Sequence, residues 1–249
     1  MKNSKKNIII AGAGDVGKNL AKVIKGKYNI YFIDRKLPIN IPDRPVEILH
    51  ICFPYNNHFI KNAISYIKKY RPRLTIINAT VAVGTTRQIM HHTKSPAVLH
   101  SPVIGDHNKL AQGILTFKKA IGAESRYYAQ RASVHFNQAG IKTVFLGKPE
   151  VTELGKLLLT TQFALNIAFH QEMERMCQKE NIDYTKTIKC FKQIFNEGYE
   201  KIRPNVIMPN LFPGKIEGSC LMQNIEILKT FYQSDFFSAI KKSNNKKKK

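Results

Sequence analysis

With 249 residues, 43% of them hydrophobic and 23% charged, the chain can bury the core of one large domain or two modest ones. Its apolar runs fall short of the ~18 residues that a membrane span requires, so no membrane partner is expected. Its four cysteines, Cys52, Cys177, Cys190 and Cys220, form neither a C-x-x-C pair nor a disulfide framework, which fits a reducing, cytoplasmic setting. No His/Cys cluster has zinc-ligand spacing, and the adjacent His91 and His92 do not share a helix face, so no metal is expected. The net charge of +23 raises a nucleic-acid hypothesis. Part of that charge sits in the terminal runs Lys241-Lys242 and Lys246 to Lys249, which read as solvated, and no aromatic RNA motif interleaves the rest. Nucleic acid is therefore not the expected partner.

The basic leader Met1 to Lys6 runs into an apolar stretch too short for a signal peptide, and Asp15 and Lys18 break the hydrophobic character soon after it. The stretch itself, Asn7 to Ala11, reads as a strand. It leads directly into Gly12-Ala13-Gly14-Asp15-Val16-Gly17, a G-x-G-x-x-G turn opening a helix, and Asp34 closes the next apolar run, Ile30 to Ile33. Strand, turn, helix and acid in this order are the fingerprint of a dinucleotide site. Gly12 permits the tight turn, Gly14 lets a pyrophosphate approach the backbone, and Gly17 lets helix and strand pack closely. Asp15 and Val16 stand at the helix N-terminus, whose N–H groups attract phosphate. Asp34 is placed to accept from ribose hydroxyls and to repel a 2′-phosphate, which favours NAD over NADP. Arg35 and Lys36 weaken that preference, because either can pair with such a phosphate.

Further strands are read at Val46 to Phe53, Leu74 to Asn78, Ala97 to His100, Lys119 to Gly122 and Lys142 to Leu146. Helices are read at 56–70, from near Thr85, and at 125–139. Thr80 and Thr85 also suit ordinary strand-end and N-cap roles. Strands alternating with helices predict an α/β fold, a Rossmann-type doubly wound parallel sheet. From Pro149 to about Asn181 a long helix is expected, apolar nearly all round between 154 and 169 and hence buried, with more helix from Asp183 to about Tyr199. The expected organisation is a nucleotide-binding domain over 1–147, an all-helical domain over 148–242, and a disordered Lys-rich tail over 243–249.

Several segments carry a family resemblance. Asn78-Ala79-Thr80-Val81-Ala82-Val83-Gly84-Thr85-Thr86 resembles the Ser-Thr-Val-Pro-Pro-Gly-Thr-Thr motif of UDP-glucose/GDP-mannose dehydrogenases. Cys52-Phe53-Pro54 resembles the strand end that carries Val-Pro in those enzymes. Glu153-Leu154-Gly155-Lys156 resembles their Ala-Glu-Leu-x-Lys helix, and Asn181-Ile182-Asp183 their Gly-Ile-Asp. Pro213 to Cys220 resembles the Pro-Gly-x-x-Gly-Gly-x-Cys segment that bears their nucleophile. The motifs fall in the family's order from about residue 7 to residue 228.

The resemblance implies a two-step oxidation of a sugar-nucleotide alcohol with NAD. It implies that Cys220 captures the aldehyde as a thiohemiacetal, that Lys156 stabilises oxyanion character with help from Thr160, and that Thr80 positions a water. Phe53 and Pro54 would border the cofactor. A thiolate is favoured near a cation, and Lys156 and Thr160 share a helix face. Glu153, one turn earlier, is placed to pair with Lys156.

The sequence also departs from the family pattern. Thr160 stands where the family has Asn. Gln223 and Asn224 stand where it has Lys and Asp, and an Asn is no general base. Ser101-Pro102-Val103 lacks a glutamate found in relatives. The sequence ends soon after the cysteine segment, where the family continues into a domain that binds the nucleotide sugar. The expected function is an NAD-dependent oxidoreductase acting on an alcohol of a sugar nucleotide or a smaller hydroxy substrate. The alternatives are a degenerate NAD-binding protein with a regulatory or subunit role, and a single alcohol oxidation as in β-hydroxyacid dehydrogenases. The family also implies a homodimer through the long helix, although burial within one subunit fits the same apolar pattern.

Overall fold

The structure, a computed structural model, describes residues 5–34, 45–209, 211–216 and 219–247, the side chains of 219 and 220 excepted. The chain divides into two compact units, Met1–Lys156 and Leu157–Lys249.

The first unit begins with β1 (Asn7–Ala11), α1 (Asp15–Ile24), β2 (Asn29–Ile33) and β3 (Val46–Ile51). It continues through α2 (Phe59–Tyr70), β4 (Leu74–Ile77), α3 (Thr85–Thr93) and β5 (Val98–His100). These strands form one all-parallel sheet in the order β2-β1-β3-β4-β5. The order reverses at β1, so a crevice opens beyond the strand ends between β1 and β3, where ligands bind in such sheets.

Ile8 and Ile10 lie in one core with Leu20 of α1, while Ile9 and Ala11 lie in another with Phe59 and Ala63 of α2. A strand covered on both faces is apolar throughout, which explains the unbroken Ile8-Ile9-Ile10 run. Each of these fully buried isoleucines contributes about 1.5–3 kcal/mol.

Next come α4 (Leu110–Thr116), β6 (Lys119–Ile121), α5 (Arg126–Gln138) and β7 (Thr143–Phe145). The sequence pattern did not mark α4, a short helix with Gly113 in its interior. It follows a 3₁₀ turn at which the Asp106 carboxylate accepts from the Asn108 amide at 2.8 Å. β6 and β7 pair only with each other in a parallel two-stranded sheet, rather than extending the main one. An antiparallel bridge, His100 to Gly122, links the two sheets. β5 is followed by Ser101-Pro102, and a proline has no N–H to extend a ladder.

α6 (Pro149–Lys179) starts in the first unit and continues into the second. The second unit then adds a π-type turn over 185–190, α7 (Phe191–Ile202), α8 (Ser219–Lys229) and α9 (Asp235–Lys246). Leu157, Ala164 and Ala168 of α6 are buried, as are Ile225, Leu228, Phe237 and Ile240. The expectation of a helix buried all round needs correction. Leu158 is 51% exposed, Phe163 47%, Phe169 59% and Met176 58%, because only one stripe of α6 meets the core.

The expectation of a disordered tail from Ser243 differs from the structure as well. α9 runs to Lys246, and Ser243 and Asn244 are buried. The Asn244 Oδ1 accepts from the Ile216 amide at 2.7 Å, and the Ser243 hydroxyl bonds the Ala168 carbonyl and Gln171. Among the described residues no helix is long and apolar enough to cross a membrane.

Candidate functional site

The glycine turn closes β1 into α1 with two steric demands and one open space. Gly12 has φ 103°, and a Cβ on it would lie 2.6 Å from the Phe53 amide nitrogen. A Cβ on Gly17 would lie 2.0 Å from the Gly12 carbonyl oxygen. A Cβ on Gly14 would meet nothing within 4 Å. Gly14 caps α1 without a side-chain hydrogen bond, so the first-turn N–H groups, including those of Asp15 and Val16, point out of the helix toward this open space.

The Asp34 Oδ2 accepts from the Ala13 amide at 2.8 Å, which holds the carboxylate beside the turn. Asp15 lies 3.6 Å from His107, with both side chains largely exposed, a pair worth little in water. Phe53 is half-buried against Phe59, at 4.9 Å between ring centroids, and Pro54 is exposed at the end of β3. Arg35 lies outside the described residues.

The segment from Asn78 to Thr86 is held at both ends by groups from distant elements. Asn78 is buried, and its Nδ2 donates to the Ile76 carbonyl at 3.1 Å and lies 3.0 Å from His50 Nδ1. That orientation makes His50 Nδ1 an acceptor and places its proton on Nε2. His50 Nε2 lies 3.0 Å from His135 Nε2, His135 Nδ1 lies 2.9 Å from the Tyr28 hydroxyl, and that hydroxyl donates to Gln138 Oε1 at 2.9 Å. One direction satisfies every link: Asn78 to His50 to His135 to Tyr28 to Gln138.

Beside this chain, His100 Nε2 lies 3.0 Å from the Ala79 carbonyl, which can only accept. His100 Nδ1 lies 2.8 Å from the Thr152 hydroxyl, which donates to the Pro149 carbonyl at 2.9 Å. Burial keeps all three imidazoles neutral, with His100 and His135 pushed down to about 3 and His50 well below the usual histidine range. Thr80 follows directly and is half-buried.

At the other end, Glu153 is fully buried. Its carboxylate accepts from the Gly84 amide at 2.7 Å, the Thr86 amide at 2.8 Å and the Thr86 hydroxyl at 2.6 Å. Glu153 thus caps α3 from α6, the role that Thr85 suited in sequence. Burial raises the carboxyl above its ordinary range, against the pull of the three donors. Lys119 is the other buried charge-bearing group here. Its Nζ donates to the Ser101 carbonyl at 2.8 Å and the Pro102 carbonyl at 3.3 Å, and burial pushes it down to about 7.

Lys156 is half-buried on α6. In the second unit Asn224 is buried, and its Nδ2 donates to Thr160 Oγ1 at 2.9 Å, while that hydroxyl donates to the Leu157 carbonyl at 3.0 Å. Two departures from the family pattern, Thr160 and Asn224, therefore touch. The backbone of Cys220 lies in the first turn of α8; its side chain lies outside the described residues. Cys52 is buried, and its thiol is pushed up to about 12 by burial, which makes it inert. Among the described residues no group of His, Cys, Asp or Glu could hold a metal ion.

Sequence reasoning missed the capping by Glu153 and the roles of His50, His100, His135, Thr152 and Lys119. The available signal was polar residues inside apolar strands, Glu47-Ile48-Leu49-His50-Ile51 and Val98-Leu99-His100.

A parallel sheet with a glycine turn at its switch point and helices on both faces is a Rossmann-type fold. Residues 150–246 match the central domain of the UDP-glucose/GDP-mannose dehydrogenase family, so the protein is related to that family through this segment. Among the solved structures that share the fold are these three. The UDP-D-ManNAc dehydrogenase from Pyrococcus horikoshii is 16% identical with a TM-score of 0.75, over 96% of this chain and 68% of that one. The UDP-glucose dehydrogenase from Pyrobaculum islandicum is 14% identical with a TM-score of 0.73, over 98% and 69%. The 3-hydroxyisobutyrate dehydrogenase of Mycobacterium tuberculosis, solved with L-serine, is 13% identical with a TM-score of 0.73, over 97% and 93%. No curated protein matches the sequence.

Proposed function

We propose that the protein is an NAD-dependent oxidoreductase that oxidises an alcohol group of a nucleotide sugar or a smaller hydroxy substrate. The observation that carries the reading is the open space in front of Gly14 at the N-terminus of α1, with Asp34 held beside the turn. Gly12, Gly14, Asp15, Val16 and Gly17 would hold the pyrophosphate, Asp34 the adenosine ribose, and Phe53, Pro54 and Thr80 the nicotinamide end. The carboxylate of Asp34 favours NAD over NADP. When bound, the cofactor would supply the hydride acceptor for the substrate carbon, with the hydroxyl proton passing to solvent. Lys156 binds the substrate oxygen and stabilises negative charge developing on it. Thr80 orients a water or hydroxyl from a strand end that His100 and Glu153 keep still. Cys220 is the proposed nucleophile for any second oxidation. Free Cys52, Cys177 and Cys190 accord with the reducing cytoplasm we assign to it.

The test is to mix the protein with NAD or NADP and a panel of UDP-sugars, GDP-sugars and small hydroxy acids, and to follow absorbance of the reduced cofactor. Turnover with NAD that is lost in Lys156→Ala supports the reading. Failure of either cofactor to bind at millimolar levels refutes it. The count of reduced cofactors per substrate separates a single oxidation from two, and loss of the second in Cys220→Ser assigns that step to the cysteine.

A second reading, a degenerate NAD-binding subunit, draws on the Thr160–Asn224 pair. Neither residue supplies a carboxylate to activate water. NAD binding without turnover on every substrate favours it. Leu158, Leu159, Phe163, Phe169 and Met176, all exposed on α6, accord with a proposed homodimer through that helix, which sedimentation at graded concentrations tests.

A further inference from the structure

A cavity of about 530 Å³ lies at the opposite end of the sheet from the glycine turn. One face of α5 forms its wall, with Tyr127, Arg131, Val134 and Gln138 at helical spacing. Ile48 of β3 and Leu74, the first residue of β4, form its floor, and Lys5, Lys6 and Lys27 stand at its rim. The volume falls in the ~300–1,000 Å³ range of small-ligand pockets.

The chemistry of the lining is specific. Four cationic side chains, Lys5, Lys6, Lys27 and Arg131, face one carboxylate, Glu47. Glu47 is already engaged by Arg131 at 3.2 Å, Lys6 at 3.6 Å and Arg73 at 3.7 Å, so of the rim lysines it offsets Lys6. Lys5 and Lys27 are exposed, and their charge favours an anion. Apolar side chains on the floor and the Tyr127 ring suit a planar heterocycle.

Polar specificity comes from the hydrogen-bonded chain that ends here. Tyr28 donates to Gln138 Oε1, which commits that oxygen and leaves the Gln138 amide N–H groups as donors. The orientation of Gln138 is thus set by Asn78, His50 and His135 behind it.

We propose that this cavity is a second ligand site, separate from the glycine turn, for a small anionic heterocycle of the nucleoside-phosphate class. The rim lysines take the phosphate, the floor and Tyr127 take the base, and Gln138 donates to it. The site stands on its own residues and does not depend on the oxidoreductase reading.

The probe is ADP, with binding followed by calorimetry on the full chain. Because ADP also fits a dinucleotide turn, Gly14→Asp serves to close that turn. Its Cβ fits the open space at Gly14, and its charge repels phosphate. The expected result is ADP binding that survives Gly14→Asp and weakens at least tenfold in Lys5→Glu/Lys27→Glu. The charge-matched control Lys68→Glu/Lys69→Glu, on α2 and outside the cavity, should change affinity less than threefold. ADP binding abolished by Gly14→Asp alone overturns the proposal and leaves the cofactor reading intact. Equal losses in the rim variant and the control overturn it as well, because they show bulk charge rather than a site. A single site that persists in Gly14→Asp and vanishes in the rim variant supports the proposal and counts against the cofactor reading.

Discussion

Glu153 on α6 and Thr86 on α3 are joined twice, through the Thr86 amide and the Thr86 hydroxyl, by one buried carboxylate oxygen. Its second oxygen takes the Gly84 amide. A single acid thereby terminates the loop that carries Thr80 and supplies the negative end that α3 needs at its N-terminus.

Replacing that acid should be costly even when its shape is kept. Glu153→Gln turns an NH₂ toward donors on Gly84 or Thr86, leaving a buried donor unpaired. The expected loss is about 1–3 kcal/mol, read by urea denaturation. A variant as stable as the parent would show that these three hydrogen bonds are not what holds α3.

The glycines of the turn should separate by position. Gly17→Ala forces a Cβ to 2.0 Å from the Gly12 carbonyl, and such overpacking costs about 1–3 kcal/mol. Gly14→Ala meets no atom and should leave thermal stability within about 0.5 kcal/mol while weakening NAD binding. Equal stability losses at the two positions would contradict the geometry of the turn.

Stability should depend on pH through buried bases. His50, His100 and His135 have folded pKa values below their ordinary 6.5, the latter two at about 3. Between those limits the unfolded chain binds more protons, so stability falls as pH falls. Each excluded proton costs about 1.4 kcal/mol per pH unit. Lys119, lowered from 10.5 to about 7, acts likewise at higher pH: the unfolded chain holds the extra proton from about 7 to 10.5, and stability rises with pH across that window. Glu153, with its raised carboxyl, opposes this weakly just above the ordinary carboxylate range. Tm should drop from pH 7 to pH 5 and climb from pH 7.5 to 9.5; a Tm at pH 5 equal to that at pH 7 would refute the assignment of neutral buried histidines.

Thr160 and Asn224 should be energetically coupled. A double-mutant cycle with Thr160→Val and Asn224→Ala is expected to give a coupling of about 1 kcal/mol, the worth of one partly buried hydrogen bond. Strict additivity would mean that the 2.9 Å contact contributes nothing in solution.

The parts legible in sequence are those whose determinants are local. The run Ile8-Ile9-Ile10, the turn Gly12 to Gly17 and the β-α alternation announce a parallel sheet through periodicity and glycine spacing alone. Even so, the interior glycine of α4 hid a helix, and β6 and β7 form a sheet of their own. The apolar stretch of α6 read as buried all round because composition does not say how many neighbours a helix has.

What the sequence determined by itself was the order of elements, the glycine turn with Asp34, and the family to which residues 150–246 are related. What only the tertiary structure decided was the partner of each polar group. Glu153 meets Thr86 across 67 residues, Tyr28 meets His135 across 107, and Asn224 meets Thr160 across 64. Backbone propensity acts over a few residues and leaves its mark in the local pattern. A hydrogen bond between buried side chains depends on how whole strands and helices stack, and nothing in the sequence near either partner records it.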